Sequence, residues 1–380
     1  MNKTMQTFTR SYKNYLSRQH GVALVTTLLM VALITVTVTA MATRQQRTIQ
    51  LAQNRQAQLQ LRNLAGAGER FSMAVLRRDK QQKDRGDSDS TEDFWAESLP
   101  PVPIDGATIE GCVIDLGGKF NLNNLADQDG NPNNIEFELF QRLLTALTID
   151  STKAAAVLDW IDSNIDVTGA DGAEDDFYTG QSPSYRAANG PMVSPTELLL
   201  VKGFRVTDEG GLDDYDVLLP HITTLPEETA INVNTASSAV LASLAPHMAA
   251  IADEVKVVDD EYWLEFPACP GGGGLLDTLL NADDGDSAAD PVDPNADPDQ
   301  EQEDEGGFIY ENDESIQQAF ANPENPDEGI NEEIFPGFTS AYYMTRVTVT
   351  RDDVTLTQFT VFQRDNNGAL KVIRRSRGGL

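Results

Sequence analysis

A run of 22 residues without a charge, Val22–Thr43, constrains this 380-residue chain more than any other feature. Wound as a helix at 1.5 Å per residue, it spans roughly 30 Å, the hydrocarbon thickness of a bilayer. A short basic leader precedes it, with Lys3, Arg10, Lys13 and Arg18, no acid, and Gly21 at the junction. Such positive charge stays cytoplasmic, which puts the rest of the chain on the far side. Arg44 and Arg47 beyond the run weaken that asymmetry. The run is a mediocre lipid anchor because Thr26, Thr27, Thr35, Thr37, Thr39 and Thr43 lie in it. Their hydroxyls bond to the preceding turn or to a neighbouring helix.

The helical pattern continues past the run. No proline interrupts Gln45 to about Arg78, and Gln, Arg, Leu and Ala dominate there. Leu61, Leu64, Gly68, Phe71 and Val75 follow at spacings of three and four, which predicts an apolar stripe packed on the protein's own sheet. One helix of about 55 residues, or ~80 Å, is expected from Val22 onward. The charged stretch Asp79–Asp93, with Gly86 and several serines, ends it. Ala107–Leu116 reads as a strand, stopped by Gly117-Gly118. From Leu122 to about Ala249 the chain reads as short helices: Phe137–Leu147, Thr152–Ile161, Ser194–Val201 with Pro195 at its first position, and Ser237–Leu244. Strands resume at Tyr342–Thr350, Val354–Gln363 and Leu370–Arg374, with turns at Asp352-Asp353 and Asn366-Asn367-Gly368.

The formal charge is −32, and it becomes more negative if the leader is lost. That balance argues against a nucleic-acid partner, which needs a basic surface, and favours a soluble, self-repelling body able to hold calcium. Cys112 and Cys269 both lie beyond the apolar run. In an oxidising compartment they form either a disulfide or two separate buried thiols.

Basic residues, a glycine, and then an apolar run resemble the type IV prepilin class of leader. In that class the prepilin peptidase cuts after the glycine, here between Gly21 and Val22, and the apolar helix stays on the mature protein, whose new N-terminus is methylated. Further strings occur in order: GKFNLNNL (118–125), LDWID (158–162), GAEDDFY (172–178), SYRAANGPM (184–192), SPTELLLVKGF (194–204) and INVNTA (231–236). Together with the leader they resemble the general secretion pathway protein K family, the large minor pseudopilins of the type II secretion system. Most pilins carry a glutamate at the fifth mature position. Here that position is Thr26, and no acid lies in Val22–Thr43. The K family shares this lack.

The resemblance implies an α+β pseudopilin fold, a long N-terminal helix on an antiparallel sheet, with a large all-helical domain inserted between strands. The expected parts are a leader (1–21), a membrane helix (22–43), a head (44–121 and 251–380) with an acidic disordered insertion at about 281–330, and a helical insert (122–250) of helix-hairpin-helix or SAM-like type. It also implies a non-enzymatic role at the pseudopilus tip, initiating assembly for export of folded proteins. The implied partners are minor pseudopilins I and J, then H and the major pseudopilin G, the prepilin peptidase, and the secretin or exported substrates. The implied location is the inner membrane of a Gram-negative bacterium, with the body in the periplasm.

The residues offer little to an enzyme. Of three histidines, His20 lies in the leader, and His221 and His247 each follow a proline without metal-ligand spacing or a neighbouring nucleophile. The Gly271–Gly274 run lacks the Lys-Ser/Thr of a phosphate loop. The competing reading is a membrane-anchored binding module that uses INVNTASSAVLASL as a helix-hairpin-helix for nucleic acid or protein. No Lys or Arg lies between Lys256 and Arg346, which argues against nucleic acid. The loop 162–176 concentrates Asp162, Asp166, Asp171, Glu174 and Asp175 among Gly and Asn. It lacks EF-hand spacing, and it reads either as a solvated acidic loop or as a calcium site, the K family being one that binds calcium in its insert. Asp283–Glu305, proline-broken and poor in apolar residues, reads as a disordered loop.

Overall fold

The computed structural model describes residues 19–81, 88–258, 260, 262, 269, 309–322, 336–352 and 354–377. Contacts divide the chain at Arg62, not at the end of the apolar run, into Met1–Arg62 and Asn63–Leu380. The described part of the first unit is wholly helical and belongs to a helix spanning Gln19–Gln81. It is the one helix among the described residues long and apolar enough to cross a membrane. Its apolar side chains from Val22 to Met41 are all exposed, as a bilayer-facing segment requires. Each threonine in the run satisfies its own hydroxyl: Thr35 donates to Val31 O at 2.7 Å and Thr37 to Leu33 O at 2.7 Å.

The second unit is built on a five-stranded antiparallel sheet. Its strands are β1 (Leu99–Ile104), β2 (Ala107–Asp115), β5 (Tyr342–Arg351), β6 (Val354–Arg364) and β7 (Leu370–Arg377), in that spatial order. Two short strands, β3 (Phe120–Asn121) and β4 (Ile222–Thr223), form a separate parallel pair. β2 and β5 join distant parts of the chain in continuous register from Thr108↔Thr350 to Asp115↔Tyr343. β1 is absent from the sequence reading because Pro100, Pro101 and Pro103 argue against a strand. It forms at the edge, where missing N–H donors cost nothing. Asp105 and Gly106, both at positive φ, make the tight turn into β2.

The long helix reaches Gln81, and residues 63–81 cover one face of the sheet. Val75 and Leu76 pack with Trp95, Val113, Tyr343 and Phe362. Gly68 permits the close approach, since a Cβ there would lie 2.7 Å from Val347 Cγ1. Leu61 is buried as expected, and within residues 63–81 the buried stripe is Ala65, Gly68, Ser72, Val75 and Leu76, with Leu64 and Phe71 only half-buried. It also holds Glu69, which sequence periodicity did not anticipate. Arg375 meets this carboxylate at 2.7 Å, and Gln358 and Thr360 donate to it at 2.9 and 3.1 Å. Arg375 first, with Thr360, outweighs the effect of burial and lowers its pKa.

A helical layer interrupts the strands. Its main helices are Asn134–Ala146, Ala154–Ile161, Gly211–Leu218, Ser238–Ser243 and Met248–Val255. The expected helix at Ser194–Val201 is a 3-10 turn, Pro195–Leu200, closed by a Ser194/Glu197 capping box. The layer's core runs from Phe120 to Ala252 and takes in Tyr310, Ile316 and Phe320. The insert expected at 122–250 therefore has a later component. Within the stretch expected to be disordered at 281–330, residues 309–322 carry a helix, Asp313–Ala319, buried through Ile316 and capped by Asn312. The rest of that stretch, and the Gly271–Gly274 run, lie outside the described residues.

Candidate functional site

The acidic loop is positioned by the helix Ala154–Ile161, every residue of which is buried. A helix so apolar carries its single acid, Asp159, into the core. The Asp159 carboxylate accepts from Thr168 N at 3.0 Å and Ala173 N at 2.7 Å, which folds the loop back upon it. Gly172 is required there, because a Cβ would fall 2.2 Å from Asp159 Oδ2. Asp162 ends the helix fully buried, with Oδ1 accepting from Asn164 N at 3.2 Å and Oδ2 without a partner. Glu174 is buried with neither oxygen hydrogen-bonded. Asn189, which donates to Asn164 O at 2.8 Å, gives it only partial relief.

Two buried carboxylates with orphaned oxygens beside a third carry a large electrostatic cost. Burial, then the charge of Asp159, pushes Asp162 up to about 6. Burial, then Asp159 and Asp162, pushes Glu174 up to about 7. The other three residues of the expected set stand apart. Asp166 and Asp171 are exposed. Asp175 is committed to Ala187 N at 3.1 Å and Arg186 at 3.2 Å. Among the described residues no group of three or more His, Cys, Asp and Glu is spaced to hold a metal. The orphaned oxygens of Asp162 and Glu174 still suit a hard cation, which favours anionic oxygen. Asp159 was missed because its sequence context is that of a core helix; an acid inside an otherwise apolar octet was the available signal.

The motif strings prove to be structural pins. Asn121 Oδ1 accepts from Leu225 N at 2.9 Å, and Asn123 Nδ2 donates to Leu225 O at 2.9 Å and Met192 O at 3.0 Å. Asn124 Nδ2 holds Thr229 O at 2.9 Å. INVNTA bridges the helical layer to the sheet: Asn232 N donates to Gly117 O, and Val233 N to Gly337 O. Buried Asp115 collects Gly117 N, Thr235 Oγ1, Ser340 Oγ and Asn232 Nδ2 within 3.1 Å. Beside it Arg364 is buried between Asp79 and Asp89. These groups form a buried polar junction, assembled from positions so far apart that no local pattern reveals it.

The histidines are also structural. His221 Nδ1 lies 2.7 Å from Ser237 Oγ, and burial, helped by Lys119, pushes its pKa down to about 4. His247 Nε2 lies 3.0 Å from Phe320 O. Cys112, in β2, and Cys269 form a disulfide with Cα atoms 5.5 Å apart. Gly21 and Val22 fall within the long helix. Thr26 donates to Ala23 O at 3.0 Å, a neutral, self-satisfied group at the position where most pilins carry an acid.

Residues 118–227 match the family model described as type II secretion system (T2SS), protein K. The type II secretion system protein K of Pseudomonas aeruginosa is 36% identical over 235 residues, covering 60% of this chain and 68% of that protein. That of Klebsiella pneumoniae is 32% identical over 265 residues, covering 67% and 77%. Among solved structures, a chain of the GspK-GspI-GspJ complex from enterotoxigenic Escherichia coli superposes with a TM-score of 0.59 at 20% identity, covering 87% of this chain and 99% of that one. That likeness establishes the pseudopilin fold, a long N-terminal helix with an antiparallel sheet and a helical layer. On the strength of these relatives, the chain belongs to the type II secretion system protein K family.

Proposed function

We propose that this protein is a non-enzymatic minor pseudopilin that caps the tip of the type II pseudopilus and helps initiate its assembly. The observation that carries the reading is Thr26. A subunit within a shaft needs a carboxylate at this depth to offset a neighbour's buried N-terminal amine. A terminal subunit gains nothing from one, and an unpaired charge there costs about 2.5–3.5 kcal/mol on insertion scales. The bulk of the helical layer supports the same position, since it suits an end better than a repeating shaft.

In this reading the prepilin peptidase cuts between Gly21 and Val22, the new N-terminus is methylated, and the helix anchors the protein in the inner membrane with its body in the periplasm. The neighbours are pseudopilins I and J, as in the complex formed by the structural relative. H, the major pseudopilin G and the secretin or exported substrates lie further along the same assembly. The full chain, extracted in detergent with I and J, should co-purify as a complex holding one copy of each. Elution of the three as separate species would refute the partnership.

The helical layer is also proposed to bind calcium. Asp162 and Glu174 would hold the ion, with Asp159 behind them fixing the loop through Thr168 and Ala173. A bound cation supplies charge compensation. The protein's own part is to present two desolvated carboxylates that internal donors satisfy only in part, with Asp162 Oδ2 left over.

A further inference from the structure

Charge is divided sharply along this chain. It carries 60 acids, yet none precedes Glu69, while Arg44, Arg47, Arg55 and Arg62 lie between the apolar run and that residue. All four stand on the long helix and are exposed. Among the described residues none of their guanidinium groups takes part in a hydrogen bond or an ion pair. An exposed, largely polar helix draws support from ion pairs three or four residues apart or from a neighbour. With no acid before Glu69, the stretch 44–62 has no such pair of its own, and Arg44 and Arg47, three apart, repel each other.

The arginines share a line. Arg44, Arg47, Leu51, Arg55, Gln58 and Arg62 follow at spacings of three, four, four, three and four, the seam along which one helix meets another. At 1.5 Å per residue this seam is about 27 Å long. Leu51, 62% exposed, sits inside it, and Leu59, 58% exposed, lies one turn beyond Arg55. Lipid headgroups reach only its start. They extend about 5–8 Å beyond the hydrocarbon, whereas Arg55 and Arg62 lie about 18 and 29 Å past Thr43 along the helix. A second copy anchored alongside presents the same arginines and is repelled.

We propose that this face of the helix is a docking seam for an acidic helix of a partner protein, running alongside with carboxylates repeating at three and four residues. Paired charges along the seam set register and choice of partner, and Leu51 and Leu59 supply apolar contact. From Glu69 onward the chain is strongly acidic, so its body repels the same partner and leaves the seam as the place of attachment. An extended acidic segment, with its period of two, cannot follow the arginines along the line. The inference holds whether or not the protein caps the tip.

The test uses the full chain in a non-ionic detergent and a labelled, alanine-rich helical peptide of about 20 residues, with glutamates at spacings of three and four on one face. Fluorescence anisotropy should show binding at low salt that weakens as salt is raised. A peptide of the same composition with its glutamates spread round the helix should bind about tenfold more weakly. Arg47→Gln with Arg55→Gln should weaken binding of the one-faced peptide about tenfold, and Arg47→Glu with Arg55→Glu should remove it. Glutamine matches arginine in helix propensity and both sites are exposed, so circular dichroism should show the helix intact. Lys3, Arg10, Lys13 and Arg18 are the same in every variant, so the difference between variants reads the seam. No binding, equal binding of the two peptides, or affinity unchanged in either variant would overturn the proposal. So would binding to phosphatidylglycerol vesicles that exceeds peptide binding and is lost with Arg55→Gln and Arg62→Gln, which would assign the seam to a lipid surface.

Discussion

Replacing Arg364 with methionine should destabilise the protein by about 3–5 kcal/mol, the usual cost of removing one partner of a buried ion pair. The guanidinium is 2% exposed and joins Asp79 at 3.2 Å, Asp89 and the carbonyl of Ser340. It also stacks 4.6 Å from the centroid of Tyr343, a contact worth ~1 kcal/mol more. Methionine keeps the volume but leaves Asp89, itself 3% exposed, without its counter-charge. The loss should depend on pH in a direction the structure fixes. Burial, then Asp93 and Asp89, already raises Asp79 to about 7. A carboxyl raised above its unfolded value, about 3.9, binds its proton more tightly in the folded state. Its contribution favours folding below the unfolded value and is lost as pH rises through about 7. Arg364→Met removes a lowering influence, so the variant's deficit should be largest near pH 8 and shrink toward pH 5. Urea denaturation of both proteins across that range measures it. Adding Asp89→Asn should restore part of the loss, because the amide keeps an acceptor for Ser340 N. A deficit under about 1 kcal/mol with no pH dependence would refute the reasoning, since it would mean that the junction is solvated rather than buried.

Reduction of Cys112–Cys269, or Cys112→Ser, should cost about 5 kcal/mol by the loop-entropy relation for a separation of 157 residues, read as a fall in denaturation midpoint on adding reductant. Gly68→Leu should cost about 1–3 kcal/mol by pushing the helix off Val347, again by denaturation. Calcium should raise the melting temperature of the wild type, with about 2.7 kcal/mol of stabilisation at a hundredfold excess over Kd, and Asp162→Asn with Glu174→Gln should remove the effect. Identical wild-type curves in calcium and in chelator would refute the site. N-terminal sequencing of the membrane-extracted protein should start at Val22, whereas a start near Ala42 would indicate an ordinary signal peptide.

Local patterns made much of the architecture legible. The uncharged run, the proline-free helix and the alternating strands at 342–374 each write their period into adjacent residues, and the observed elements differ from expectation mainly at their ends. β1 was hidden because its prolines oppose a strand everywhere except at an edge, and edges are a property of the whole sheet. The helix Gly211–Leu218 begins with glycine and carries Asp213, Asp214 and Asp216, residues of weak helix propensity. Tertiary burial of Tyr215 and Leu218 decides otherwise. The acidic loop was visible as composition, but composition cannot rank its carboxylates. Asp159, Asp162 and Glu174 are singled out by burial, and the helix that buries them is held in place by distant residues. The Asp115 and Arg364 junction had no local signature, because its members come from residues 79 through 364.

The tip position is tested most directly by locating the protein on assembled pseudopili. A label on the periplasmic body, imaged on filaments made of the major pseudopilin, should appear once per filament and at one end. Labels distributed along the shaft would contradict the tip assignment.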